Sequence, residues 1–112
     1  MLSLPPSVRI FVCRGATDLR RSFDRLAAMV SAVLRQDPLS GHLFVFFNRR
    51  QDRVKILVWE RGGFWLWYRR LETGTFAAVD REELTARELF LLLEGLDVVR
   101  ERRRYARPEK VR

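Results

Sequence analysis

The chain is short of several things. Its 112 residues include one cysteine, Cys13, and one histidine, His42. A single cysteine excludes an internal disulfide framework and any cysteine-rich zinc site. Apolar runs stop at five residues, as in Leu43–Phe47 and Leu89–Leu93. A bilayer-spanning helix needs about 20. The opening Met1-Leu2-Ser3-Leu4-Pro5-Pro6 has no basic n-region, and two prolines break its apolar stretch. It does not read as a signal peptide. Phosphate-binding glycine loops are missing too, since Gly62-Gly63 joins two strands and opens no helix. These absences describe a reduced, cytoplasmic, soluble protein with no membrane partner, no small-molecule substrate, no cofactor and no metal.

What is present is a core and a great deal of arginine. Apolar residues make up 47% of the chain, enough for one domain and against wholesale disorder. The 22 basic residues are Lys55, Lys110 and 20 arginines, and the net charge is +8. Residues 100–112 hold seven basic and two acidic groups, so +5 of the +8 sits there and +3 on the other 99 residues. The expected organisation is one domain over 1–99 and a basic, flexible tail over 100–112.

Val8-Arg9-Ile10-Phe11-Val12-Cys13 is β-branched and aromatic and predicts a short strand, with Arg14-Gly15-Ala16 as a turn. Thr17 or Asp18 is placed to cap a long helix, in which Leu19, Phe23, Leu26, Ala27, Val30, Val33 and Leu34 form one apolar stripe. Asp37-Pro38-Leu39-Ser40-Gly41 stops it. A β-meander follows: His42 to Asn48, apolar on both faces; Arg53 to Glu60; and Phe64 to Arg70. Thr75–Val79 is a candidate edge strand. Thr85 and Glu88 fit a capping box at the start of a short C-terminal helix, with Gly95 as its C′ residue. The fold class is α+β: an antiparallel sheet of four to five short strands, one long helix packed on it, and the short helix. The first strand either joins the second through a right-handed crossover or sits at an edge.

Catalytic chemistry finds little support. The 14 acidic residues fall in no recognisable two-metal motif, which needs carboxylates converging on ions about 3.5–4 Å apart. A Cys13/His42 nucleophile pair is allowed on residue types alone. However, a thiol in an apolar strand is usually a small buried hydrophobe. Nucleic-acid binding is better supported. Lys55, Trp59, Trp65, Trp67 and Arg69 read as one face of the meander, with Arg49, Arg50 and Arg53 at its end and Arg70 beside Arg69. Rings stack on bases and arginine neutralises phosphate. The alternative is that the tryptophans pack under a helix and the arginines are ordinary solvated groups. Arg100, Arg102, Arg103 and Arg104 form a run typical of an arm that meets nucleic acid. The tryptophans Trp59, Trp65 and Trp67 equally suit a protein partner.

Three blocks resemble a known family. The first is Leu4-Pro5-Pro6-Ser7-Val8-Arg9-Ile10-Phe11-Val12 with Gly15-Ala16-Thr17-Asp18-Leu19-Arg20-Arg21-Ser22-Phe23-Asp24-Arg25-Leu26. The second is Asp37-Pro38-Leu39-Ser40-Gly41-His42-Leu43-Phe44-Val45-Phe46-Phe47-Asn48-Arg49-Arg50. The third is Asp52-Arg53-Val54-Lys55-Ile56-Leu57-Val58-Trp59-Glu60-Arg61-Gly62-Gly63-Phe64, running into Leu66-Trp67-Tyr68-Arg69-Arg70-Leu71-Glu72. Over roughly residues 4–96 the chain resembles the small accessory proteins, TnpB or Orf2-like, of bacterial transposons of the insertion sequence 66 family. The resemblance implies a non-catalytic accessory factor for DNA transposition. Its expected partners are transposon DNA, the separate transposase and the element's other accessory protein. It carries over no catalytic residue. A protein adaptor without DNA affinity and a small metal-dependent nuclease are the competing readings.

Overall fold

In the computed structural model, residues 4–94 are described. The elements are β1 (Ile10–Ala16), α1 (Phe23–Ala32), β2 (Leu43–Phe47), β3 (Arg53–Glu60), β4 (Gly63–Arg70), β5 (Glu83–Leu84) and α2 (Ala86–Leu93). The five strands form one sheet in the order β4-β3-β2-β1-β5. The sheet is mixed, not antiparallel. β1 runs parallel to β2, Ile10 opposite Leu43 through Cys13 opposite Phe46. The other three pairings are antiparallel. A parallel neighbour requires a crossover, and α1 lies within it. Of the two placements open to β1, the interior one holds, with β5 on its far side.

Both faces of the sheet are covered. Phe11, Cys13, Phe44, Phe46 and Leu57 pack with Leu26 and Val30 of α1. Ile10, Val12, Leu43, Val45, Phe47, Val54 and Ile56 pack with Phe76, Leu84, and Leu89 and Leu92 of α2. Alternation along each strand sends neighbours to opposite layers. The central β2 is buried at all five positions.

The first helix is shorter than its apolar stripe, at 10 residues. Neither Thr17 nor Asp18 caps it. The Asp18 carboxylate accepts from the Arg20 amide and, twice, from the Arg20 guanidinium, and Arg21 N–H donates to the Asp18 carbonyl. Those bonds favour a turn over a helix start. Thr17 is buried, and its hydroxyl is directed at Cys13 Sγ. Ser22 becomes the N-cap, without a side-chain cap bond. At the other end, Arg35 takes a φ of 56° and Gln36 N–H bonds the Val30 carbonyl, closing the chain before Asp37-Pro38.

Two further expectations are corrected. Thr75–Val79 forms no strand, because the Phe76 amide donates to the Gln51 carbonyl and its ring packs 5.8 Å from that of Phe47. The edge strand is Glu83–Leu84 instead. Nor do Arg14-Gly15-Ala16 form a turn. β1 continues to Ala16 with a register shift after Cys13. The expected C′ residue, Gly95, lies outside the described residues.

The capping box forms as expected. Glu88 N–H donates to Thr85 Oγ1 at 3.1 Å and Thr85 N–H to Glu88 Oε1 at 2.9 Å. Thr85→Ala is expected to cost about 1 kcal/mol, read from the urea midpoint. The Thr85 amide, then the Arg81 guanidinium, hold the Glu88 carboxyl below its ordinary value. A depressed folded-state pKa gives stabilisation that is full above the unfolded value near 4.5 and is lost as pH falls through the folded one. The deficit of Glu88→Gln relative to the parent should therefore shrink in acid titrations of stability.

Candidate nucleic-acid interface

One end of the sheet gathers arginines around a tightly bonded hairpin. The connection from β2 to β3 is Asn48–Asp52, and the Asn48 side chain organises it. Asn48 Oδ1 accepts from the amides of Asp52 (3.1 Å) and Arg53 (2.9 Å), and Nδ2 donates to Asp52 Oδ1 at 2.6 Å. The Asp52 carboxyl is held below its ordinary value, chiefly by that Asn48 bond and further by Arg50 and Arg53. Gln51 completes the turn at φ 59°. The loop is tied to the body by Leu71 N–H to the Asp52 carbonyl and Phe76 N–H to the Gln51 carbonyl. Asn48 is thus a turn former. Arg49 and Arg50 point outward, exposed, and no described residue hydrogen-bonds or ion-pairs with either.

Arg53 opens β3 directly across from Arg70 at the end of β4. Cross-strand partners share a face, and like charges there oppose pairing. Arg70 is relieved by Glu72 at 2.9 Å. The Arg53 guanidinium has no hydrogen bond or ion pair among the described residues. Other basic candidates are occupied. Lys55 Nζ donates to the Arg21 carbonyl at 3.1 Å and lies 5.1 Å from the centre of the Tyr68 ring. Arg69 donates to the Leu93 carbonyl at the end of α2. Arg100, Arg102, Arg103 and Arg104 lie outside the described residues.

The single Lys–Trp–Arg face expected from the meander does not form. The turn between β3 and β4 has two residues, Arg61 and Gly62, with φ of 50° and 83°. Positive values at both suit a type I′ hairpin. That turn pairs Glu60 with Gly63, so odd positions of β3 share a face with even positions of β4. Lys55 and Trp59 lie on the α1 side with Tyr68 and Phe64, whereas Trp65, Trp67 and Arg69 lie on the α2 side. Trp59 meets the Phe64 ring edge-on at 5.0 Å. Trp65 and Trp67 are 56% and 44% exposed, with rings 6.4 Å apart, and Trp65 Nε1 donates to Glu60. Tyr68, 54% exposed between Lys55 and Arg70, joins the candidate basic cluster, a placement that residue types alone do not give. The signal was the turn length, which fixes the parity of the pairing.

Nucleophile chemistry is not assembled. His42 Nδ1 accepts from the Arg9 amide, while Cys13 sits opposite Phe46. Four residues of β1, about 13 Å at ~3.3 Å each, separate the two positions. Among the described residues no group of three or more His, Cys, Asp and Glu is placed to hold a metal ion. No described helix is long and apolar enough to cross a membrane.

Comparison with known proteins adds a family. The sequence profile of the IS66 Orf2 like protein family matches residues 8–103. The chain is 34% identical over 116 residues to uncharacterized protein y4jC of Sinorhizobium fredii, covering 99% of both chains. It is 36% identical over 102 residues to uncharacterized protein y4hO of the same organism, covering 87% of this chain and 88% of the relative. No solved structure matches.

The hairpin geometry makes a prediction of its own. Asn48→Ala leaves the Asp52 and Arg53 amides without their acceptor and should cost about 1–2 kcal/mol in urea unfolding. It should also raise the Asp52 pKa toward its ordinary value, followed by carboxylate NMR titration. An unchanged Asp52 titration would refute the assigned role of Asn48.

Proposed function

Because this chain belongs to the IS66 Orf2-like protein family, whose members are accessory proteins of IS66 transposable elements, we propose that it is a non-catalytic factor that binds transposon DNA. The contact surface is the Asn48–Arg53 end of the sheet together with Arg70 and Tyr68. Residues 100–112 add a second, sequence-independent attraction to phosphate. The observation that carries the reading is the cluster Arg49, Arg50 and Arg53, exposed on a bonded turn, whose guanidiniums make no hydrogen bond or ion pair among the described residues; Asp52 beside them is bonded to Asn48 instead. Unpaired guanidiniums held by a bonded hairpin are pre-organised for phosphate. Tyr68 offers a ring beside them for a base or sugar.

The split of the tryptophans bears on how DNA is held. Trp65 and Trp67 face away from Tyr68 and Lys55, so they do not form one stacking platform with those residues. Engagement of the transposase and of the element's other accessory protein falls to surfaces other than the hairpin end. In this reading cutting and joining are left to the separate transposase.

Salt dependence tests the reading. On duplex DNA, log K falls against log salt by about 0.9 per phosphate contact. Replacing Arg49, Arg50 and Arg53 by Ala in the full chain should flatten the slope by about 2–3 units on a transposon-end duplex. Deleting 100–112 should flatten it by roughly 3–4 more. A slope unchanged by both, with transposase co-purification lost in the triple variant, would establish the adaptor reading instead. Metal-dependent nicking of the duplex by pure protein would overturn the non-catalytic assignment.

A further inference from the structure

We propose that the outer edge of β4 is a self-association site, where two copies of this chain pair antiparallel about a two-fold axis at Trp67 and join two five-stranded sheets into one of ten. The sheet ends on β4, an eight-residue strand, at one side and on the two-residue β5 at the other. Short edges resist edge-to-edge pairing, whereas a long, regular one invites it. β4 has no proline and no bulge in its pairing with β3. No described residue pairs with its outer side.

The phase of the ladder identifies the groups on offer. Leu71 N–H bonds the Asp52 carbonyl at 2.8 Å, so this pair is hydrogen-bonded. Bonded pairs alternate in an antiparallel ladder. Counting back in twos, Arg69, Trp67, Trp65 and Gly63 turn their backbone groups to β3. Phe64, Leu66, Tyr68 and Arg70 turn theirs outward. A two-fold axis at Trp67 sets Phe64 opposite the partner's Arg70 and Leu66 opposite the partner's Tyr68. All four outward donors and acceptors are then used from each copy. Three exposed large apolar side chains lie on this strand, Trp65, Trp67 and Tyr68.

Charge selects the second copy and its orientation. The β4 positives, Arg69 and Arg70, lie at one end, and Phe64 and Trp65 lie at the other. Antiparallel self-pairing sets Arg69 across from the partner's Trp65 and Arg70 across from the partner's Phe64, which keeps the arginines of the two copies at opposite ends of the ladder. Parallel pairing would stack arginine on arginine. The edge therefore complements itself in one direction only. The pair also presents two copies of the Arg49–Arg53 hairpin, related by the same axis.

Cysteine trapping in the full chain tests both the contact and its register. Facing residues of a non-hydrogen-bonded pair have Cα atoms about 4.5 Å apart, within the usual disulfide range of about 4.4–6.8 Å. Trp67→Cys should therefore oxidise to a covalent dimer at least about tenfold faster than Leu66→Cys, whose own counterpart lies two positions out of register. Native Cys13 is buried and should contribute none. The unsubstituted protein should sediment near twice its 13.3 kDa chain mass. Tyr68→Pro removes an outward donor while sparing the β3 ladder, and should yield a folded monomer by sedimentation and circular dichroism. A monomeric parent protein, whether residues 95–112 or a different protein covers the edge, would overturn the proposal. So would equal trapping at positions 66 and 67, or a dimer that survives Tyr68→Pro.

Discussion

Everything in this fold answers to one strand that has no solvent-facing side. Leu43, Phe44, Val45, Phe46 and Phe47 are all buried. At roughly 1.5–3 kcal/mol for each large apolar side chain, β2 accounts for burial energy on the order of 10 kcal/mol. That is comparable with the whole net stability of a small domain, about 5–15 kcal/mol. A chain of 112 residues therefore has to build a layer on each side of β2. α1 provides one through Leu26 and Val30, and the other combines Phe76, Leu84, Leu89 and Leu92. Strands β1 and β3 satisfy the β2 backbone from its two edges. A helix turn lost at Asp18 or at Arg35 matters little beside that burial, which explains why α1 tolerates both.

Local signals were readable and distant ones were not. The five-residue apolar run gave away β2 as a central strand. The Thr85/Glu88 spacing gave away the start of α2. Each of these depends on residues within a few positions of one another. The parallel partnership of β1 and β2 depends on a crossover, and alternation within β1 is the same whichever neighbour it has. Its direction was therefore left open between a crossover and an edge position, and an antiparallel sheet was the wrong expectation. β5 is two residues long and has no pattern to read. At the front of α1, Thr17 and Asp18 are both good caps by residue type, yet Arg20 claims the Asp18 carboxylate first.

The candidate site shows the same limit in sharper form. Residue types pointed to a basic and aromatic surface, but types do not say who the partners are. Lys55 and Arg69 are spent on carbonyls at Arg21 and Leu93. Arg49, Arg50 and Arg53 are left over. The aromatic faces depended on arithmetic that the strand patterns do not contain. With a two-residue turn, partner numbers across β3 and β4 sum to an odd value, so Trp59 and Trp65 take opposite sides although both are odd. One more residue in the turn would have put them on the same side. Tyr68 moved into the basic cluster by the same rule.

Arg53 opposite Arg70 is the arrangement that packing does not explain. At the 4.5–5.5 Å of facing side-chain origins, two exposed positive charges repel by about 1 kcal/mol in water. Glu72 offsets part of this, and surface ion pairs are worth only about 0–1 kcal/mol. Nothing apolar is gained in return, since both side chains are solvent-exposed. A bound polyanion would reverse the balance, because one phosphate attracts both guanidiniums and releases its counterions. The tail carries more charge, +5 against +3 for the rest of the chain, but charge alone confers affinity without orientation. The hairpin differs in that Asn48 fixes its backbone, so under the proposed function its arginines would meet phosphate in a set geometry. Phosphate contacts of that kind position a protein on a duplex even where they read no base, and positioning is what the proposed non-catalytic role would require.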